Sequence, residues 1–265
     1  MPRKRTERLI VTTVTPDGAQ RDPDRLIVEE PMTIQLDGVT VSTTMRTPGD
    51  DFALAAGFCH TEGLLAGAPV TGIRYCGTGG AAATEFNVVT VETGGKAPEP
   101  VARLGPVPSS CGWCGNDQIA DLMIRLDPLP EHAPFDLDVL MQVPARVRAE
   151  QALFAETGSV HGAATFDRSG AIGLVCEDVG RHNAVDKVVG HMLLDGRLPA
   201  GELGLYVSGR ASVEMVQKAW AAGFAAVVAV SAPTALAVRA ARQANLMLAG
   251  FATGDRLNVY APERL

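Results

Sequence analysis

The sequence predicts an α/β fold, α+β overall, with a β-rich N-terminal half and a C-terminal half of alternating strands and helices. Three observations carry this. Between residues 160 and 260 short apolar runs alternate with segments of helical period, in strand–helix–strand units. Between residues 9 and 44 apolar and β-branched residues alternate around Asp37-Gly38, the strongest short-range hairpin signal. Between residues 94 and 110 a Gly/Pro-rich stretch of little periodicity separates the two styles. The predicted boundary divides an N-terminal subdomain, residues 1–135, from an α/β subdomain, residues 136–265.

Taken in order, a basic tail leads into a strand over residues 9–14, and residues 31–36 and 39–44 form the hairpin pair. Pro48-Gly49-Asp50-Asp51 opens a helix through Phe52, Leu54, Ala55, Phe58 and Leu65, its acidic residues suiting the N-terminal dipole. Residues 72–75 and 85–92 read as strands. Ile119, Leu122, Met123 and Leu126 share one helical face, which predicts a helix over 117–126 capped by Asn116 or Asp117.

In the second half, strands are expected over 160–166, 171–176, 203–208, 225–231 and 257–260. Helices are expected over 183–194 and 213–221, with an Ala-rich one over 233–248 ended by Gly250. Such units imply a mostly parallel sheet with helices on both faces.

The chain has 265 residues and a net charge of −7, which excludes a general nucleic-acid or membrane-surface binder, since either needs a basic excess. The longest apolar run, residues 224–230, is of interior-strand length, too short to cross a bilayer. The N-terminus has charges and then a short, Thr-interrupted apolar stretch, unlike a secretory signal. A cytoplasmic protein is expected, where structural disulfides are rare.

Of the five cysteines, Cys59, Cys76, Cys111, Cys114 and Cys176, only one pair is close in sequence: Ser109-Ser110-Cys111-Gly112-Trp113-Cys114-Gly115. This spacing serves a redox dithiol, half a zinc site, or a thiol that carries sulfur. Zinc fits worst, because a structural site needs four ligands and neither a second Cys-x-x-Cys nor a close His pair exists. The zinc-deaminase pattern is also incomplete, with no His-x-Glu and with Pro108 not adjacent to Cys111. No metal site is expected. A dithiol and a sulfur carrier both need a partly ionised thiol, and the helix predicted after Cys114 favours thiolate. Spacing alone leaves these two open. The pair belongs to a stretch, about residues 94–116, read as a mobile loop.

Three polar motifs stand beside strands or at helix starts. Thr157–Gly162 contains His161. The turn Glu177-Asp178-Val179-Gly180-Arg181-His182-Asn183 holds too many charged or titrating groups for simple capping. Val207-Ser208-Gly209-Arg210-Ala211-Ser212 offers a glycine turn, a helix start and a guanidinium, a combination suited to phosphate. Two neighbouring turns, each with Gly and Arg, can cradle a nucleotide, and carboxyl ends of strands are where open α/β sheets bind ligands. Ser231-Ala232-Pro233-Thr234 repeats the pattern, with Pro233 in a capped first turn.

The motifs SSCGWCG, ETGSVHGAA, EDVGRHNAVDKVVG, VSGRASVEMVQKA and GFATGDRLNVYAPERL, in this order from about Pro31 onward, together resemble the formate dehydrogenase accessory sulfurtransferases. The resemblance implies a cytidine deaminase-like three-layer α/β/α C-terminal half without zinc chemistry, and a homodimer. It implies sulfur transfer from a cysteine desulfurase, through a persulfide on Cys111 with Cys114 as partner, to bis-molybdopterin guanine dinucleotide, the molybdenum cofactor of formate dehydrogenase. A guanine nucleotide would occupy the same site. The cofactor segment implied is Leu248, Ala249, Gly250, Phe251, Ala252 and Thr253, with Thr253 standing where a basic residue is expected and Arg256 as its substitute. His161, Gly180, Arg181, His182, Asn183, Ser208, Gly209 and Arg210 complete the candidate set. The rival readings are a thiol–disulfide oxidoreductase and a cofactor-binding chaperone whose thiols are dispensable.

Overall fold

The computed structural model describes residues 3–75, 85–100 and 126–262; the helix predicted over 117–126 lies outside them except for Leu126. Three sheets are present among the described residues. A two-stranded ribbon pairs β1 (Thr6–Thr15) with β2 (Gly18–Ile27). A four-stranded sheet has the order β4-β3-β6-β5, from β3 (Glu30–Leu36), β4 (Val39–Arg46), β5 (Gly72–Tyr75) and β6 (Val88–Glu92). The Asp37-Gly38 hairpin is as expected: φ is 48° and 88° at the two residues, the doubly positive turn that matches strand twist.

Helix α1 (Asp51–Thr61) covers this sheet. It ends four residues short of the predicted Leu65. Gly63, at φ 70°, donates to the His60 carbonyl, and Leu64 donates to that of Cys59, a Schellman stop. The strand expected from residue 85 starts at Val88 instead, because Glu85 and Phe86 both take positive φ in a turn.

Two helices follow, α2 (Leu137–Glu150) and α3 (Ala152–Thr157). The remaining elements are β7 (His161–Phe166), β8 (Ile172–Asp178), α4 (Arg181–Leu194), β9 (Gly201–Val207) and α5 (Val213–Ala221). They continue with β10 (Phe224–Ala229), α6 (Ala235–Ala244), β11 (Met247–Thr253) and β12 (Arg256–Ala261). The six strands form one sheet of order β12-β11-β10-β9-β7-β8. It is mixed rather than mostly parallel: only β9/β10 and β10/β11 run parallel. Both antiparallel ends follow from short connections, a hairpin between β7 and β8 and one between β11 and β12.

Helices α4, α5 and α6 cover one face over a core that includes Val188, Val216, Trp220 and Leu248. Helix α2 covers the other, over Phe166, Tyr206, Val228 and Ala249, so the α/β/α layering holds. The helix expected over residues 233–248 is shorter. Asn245 at φ 56° takes the left-handed C-terminal position, with Leu246 bonded back to Ala241, and the following apolar run enters the sheet.

The two halves meet where α1 crosses α4. A Cβ on Gly57 would stand 1.8 Å from the Asp186 carbonyl oxygen, and one on Gly190 would stand 1.8 Å from that of Ala53. Only glycine lets the backbones approach this closely.

Candidate functional site

Strands β9, β10 and β11 end on the same edge of the sheet. Strand β7 starts there and β8 ends there, because each is antiparallel to its neighbour, with His161 opposite Asp178. This one edge gathers the motifs that lie far apart in sequence. The Ser208 hydroxyl accepts from the Gly162 N–H at 2.9 Å and lies 3.2 Å from His161 Nδ1. The Ser208 N–H donates to the Gly162 carbonyl. A Cβ added to Gly209 would meet His161 Cε1 at 3.6 Å and Arg181 Cδ at 3.8 Å, so His161, Gly209 and Arg181 are neighbours at this edge.

The backbone ladder continues past the strands. Ser231 N–H donates to Gly209, and Phe251 N–H donates to Ser231. Thr234 caps α6 by accepting from Ala237 N–H, so Pro233 stands before the cap rather than in the first turn where it was expected. Arg210 and Phe251, next to these bonded backbone positions, are exposed. Within the predicted 248–253 segment, Leu248, Ala249, Gly250 and Ala252 are buried, whereas Phe251 and Thr253 are exposed. Thr253 Oγ1 donates to Asp255, and the Arg256 guanidinium stands 5.6 Å from the Phe251 ring.

Burial, and then the positive charge of Arg181, hold the His161 imidazole below its ordinary pKa, with Asp178 pulling the other way. At neutral pH His161 is therefore a neutral hydrogen-bonding group. Glu214 in the first turn of α5 is a site residue that the sequence reading missed. Burial pushes its carboxyl up, but the nearby Ser212 hydroxyl, its own backbone and the charges of His182 and Arg181 hold it below the usual range. The signal was a first-turn acid after Ser212, easily read as ordinary dipole complementation.

The turn Glu177–Asn183 serves two purposes. Arg181 lies beside Gly209 at the edge, while its neighbours face inward. The Asn183 amide donates to the Met45 carbonyl at 2.7 Å and to Asp178 Oδ1 at 2.9 Å, and its oxygen accepts from Thr44. Asp178 also accepts from the backbone N–H of Gly180 and of Thr47. Lys187 closes the network, 2.8 Å from Asp178 Oδ2 and 3.0 Å from the Thr47 carbonyl, with both charged side chains fully buried. Glu177 caps α3 through the N–H groups of Leu153 and Phe154. Asn183, placed among the candidate cofactor contacts, thus has its amide committed to joining the two halves, and His182 is buried beside it.

Two cysteines lie among the described residues. Burial pushes the Cys59 thiol up to about 12, with Asp186 and Glu62 adding to the effect. Burial likewise pushes Cys176 up to about 12. Neither is a usable nucleophile, because the thiolate is the reactive form. Cys76, Cys111 and Cys114 lie outside the described residues.

For a nucleotide-bearing cofactor, the edge offers a glycine turn with room beside His161, a hydroxyl, and the guanidinium groups of Arg181 and Arg210. These groups suit phosphate oxygens, and Glu214 and the buried Asp178, which pairs with Lys187, are negative charges close by. No described helix is long and apolar enough to cross a membrane.

Comparison with known proteins agrees with this fold. The chain is 44% identical over 261 residues to the sulfur carrier protein FdhD of Nocardia farcinica, covering 97% of this chain and 93% of that one. It is 42% identical to the protein of that name from Streptomyces avermitilis, covering 97% and 94%, and 44% identical to that of Anaeromyxobacter dehalogenans, covering 94% and 90%. A crystal structure described as a formate dehydrogenase accessory protein, from Desulfotalea psychrophila, shares the fold at a TM-score of 0.77 and 24% identity, over 99% of this chain and all of that one. The family model described as FdhD/NarQ matches residues 27–265, every motif of the sheet edge included, and the chain belongs to the FdhD/NarQ family.

Proposed function

We propose that the chain is a sulfurtransferase. It accepts sulfur from a cysteine desulfurase as a persulfide on Cys111 and passes it to the molybdenum cofactor, bis-molybdopterin guanine dinucleotide, in support of formate dehydrogenase. The relatives' name, sulfur carrier protein, supports the reaction class. The observation that supports the reading is the sheet edge, where His161, Ser208, Gly209 and Arg181 come together beside the exposed Arg210 of the same turn, groups suited to a nucleotide's phosphates. The cofactor is here the substrate, and a free guanine nucleotide would occupy the same edge.

In the first step the Cys111 thiolate attacks the outer sulfur of the donor's persulfide. The donor's S–S bond breaks, its cysteine leaves as thiolate, and a persulfide remains on Cys111. Cys114 then attacks the inner sulfur, which releases hydrosulfide to the acceptor and leaves a Cys111–Cys114 disulfide, which an external thiol reductant reopens before the next transfer. Arg181 and Arg210 hold the acceptor's anionic end, and Ser208 orients neutral His161 beside it. The reading places the chain in the cytoplasm as a homodimer.

Mass spectrometry after incubation with a desulfurase and cysteine tests the assignment. One added sulfur atom on the Cys111 peptide is expected, together with its loss in Cys111→Ala. Sulfur gained by Cys111→Ala as fast as by the wild type would reject it.

A further inference from the structure

Gln151 joins α2 to α3 and is 1% exposed, yet neither its amide nitrogen nor its amide oxygen has a hydrogen-bond partner among the described residues. Its backbone is engaged: the N–H donates to the Arg148 carbonyl, and the carbonyl accepts from the Ala155 N–H. A polar side chain in this place ordinarily caps the helix that follows, but Gln151 makes no such bond. Glu177, from the end of β8, does it instead, accepting from the N–H groups of Leu153 and Phe154 at 2.8 Å each. An unpaired buried amide costs stability that an apolar side chain of the same shape would not. Packing alone therefore favours Met at this position, and the amide needs another reason.

Its surroundings supply one. The amide lies against Gly162, where a Cβ would stand 2.3 Å from Gln151 Nε2 and 2.8 Å from Cδ, so only glycine admits it. Gly162 ties the sheet edge together. Its N–H donates to the Ser208 hydroxyl, its carbonyl accepts from the Ser208 N–H, and the preceding His161 has Nδ1 3.2 Å from the same hydroxyl. In the β7–β8 register Gly162 is also opposite Glu177, whose carboxylate is already committed to α3. The Gln151 amide thus rests on the residue next to His161, beside the groups that suit phosphate, and it is bonded to none of them.

We propose that Gln151 is a ligand-contacting residue of this edge, its carboxamide taking the donor–acceptor edge of a nucleobase. The inference rests on the nucleotide reading of the proposed function and adds the group that recognises the base. A carboxamide carries a donor and an acceptor side by side, and nucleobase edges carry the complementary pair. Arg181 and Arg210 answer the phosphates by charge and are indifferent to the base. In the free protein the amide is buried, so the contact forms by rotation of the side chain away from Gly162. That rotation breaks no side-chain hydrogen bond and makes good the missing ones.

Calorimetric titration of the full chain with GDP, and with inorganic diphosphate, which has the phosphates without the base, is the test. Gln151→Met keeps the length of the side chain and removes its donor and acceptor. It is expected to weaken GDP binding about tenfold, the scale of one or two uncharged hydrogen bonds, and to leave diphosphate affinity unchanged. Its thermal midpoint should be no lower than that of the wild type. GDP bound as tightly as by the wild type, or equal losses for GDP and diphosphate, overturns the role of Gln151 alone. So does a lowered midpoint or a variant that fails to fold, since either makes the amide a structural member. A wild type that binds neither ligand overturns the nucleotide reading of the edge, and this inference with it.

Discussion

Residues 177–187 hold two regions built to opposite rules. Arg181 lies at the open sheet edge, together with His161, Ser208 and Gly209. Asp178, Asn183 and Lys187, within six residues on either side, are buried, and their polar atoms are matched to β4 and the β4–α1 connection. The open side borders solvent, where a ligand can reach it. The buried side cannot, because a charge removed from water must find its partner within the protein. The contrast shows that a motif dense in polar residues need not be one site. Its inward residues hold the two halves together, and that junction fixes where the outward residues stand.

The largest expected effect breaks the buried side. Lys187→Met would leave Asp178 fully buried without its cation, which costs about 3–5 kcal/mol. Urea unfolding followed by circular dichroism should show the midpoint falling by that equivalent. A loss below about 1 kcal/mol, the scale of an exposed pair, would mean that the network does not join the halves.

Changes on the open side should move binding and leave stability alone. Glu214 shares its field with Arg181 and His182 and opposes an incoming anion. Glu214→Gln is expected to tighten GDP binding by roughly twofold to fivefold in a fluorescence titration, the scale of one partly screened charge. Weaker binding would show that Glu214 instead orients a cation toward the ligand.

The smallest effect concerns pH. His161 has its pKa lowered by burial and by Arg181, so in the free protein it gains a proton only below the ordinary imidazole range. GDP affinity should be flat from pH 8 to about 6.5, then rise as the added positive charge meets the phosphates. A rise already complete by pH 7.5 would place a different group in control.

Much of this architecture was legible in the sequence. Asp37-Gly38 made its hairpin, and the helix read over 213–221 has those bounds. Strand β2 went unseen because Pro23 and four charges disguise an exposed edge, and α2 because Pro144 interrupts its helical pattern. The helix read over 233–248 failed at one residue, Asn245, whose left-handed backbone ends α6 and releases an apolar run into the sheet. In the site, Ser208, Gly209 and His161 come together as their places at strand ends suggested. The commitment of Asn183 was not visible, because Met45 lies 138 residues away and only the tertiary fold brings its carbonyl within reach.

The division of labour within one edge is tested most directly by calorimetric titration of GDP into Arg210→Ala, with its unfolding midpoint measured in parallel. Removing one exposed guanidinium from a phosphate site should weaken binding about tenfold, the equivalent of one charged hydrogen bond, and leave the midpoint at the wild-type value. Unchanged affinity, or a midpoint lowered as far as in Lys187→Met, would contradict the account.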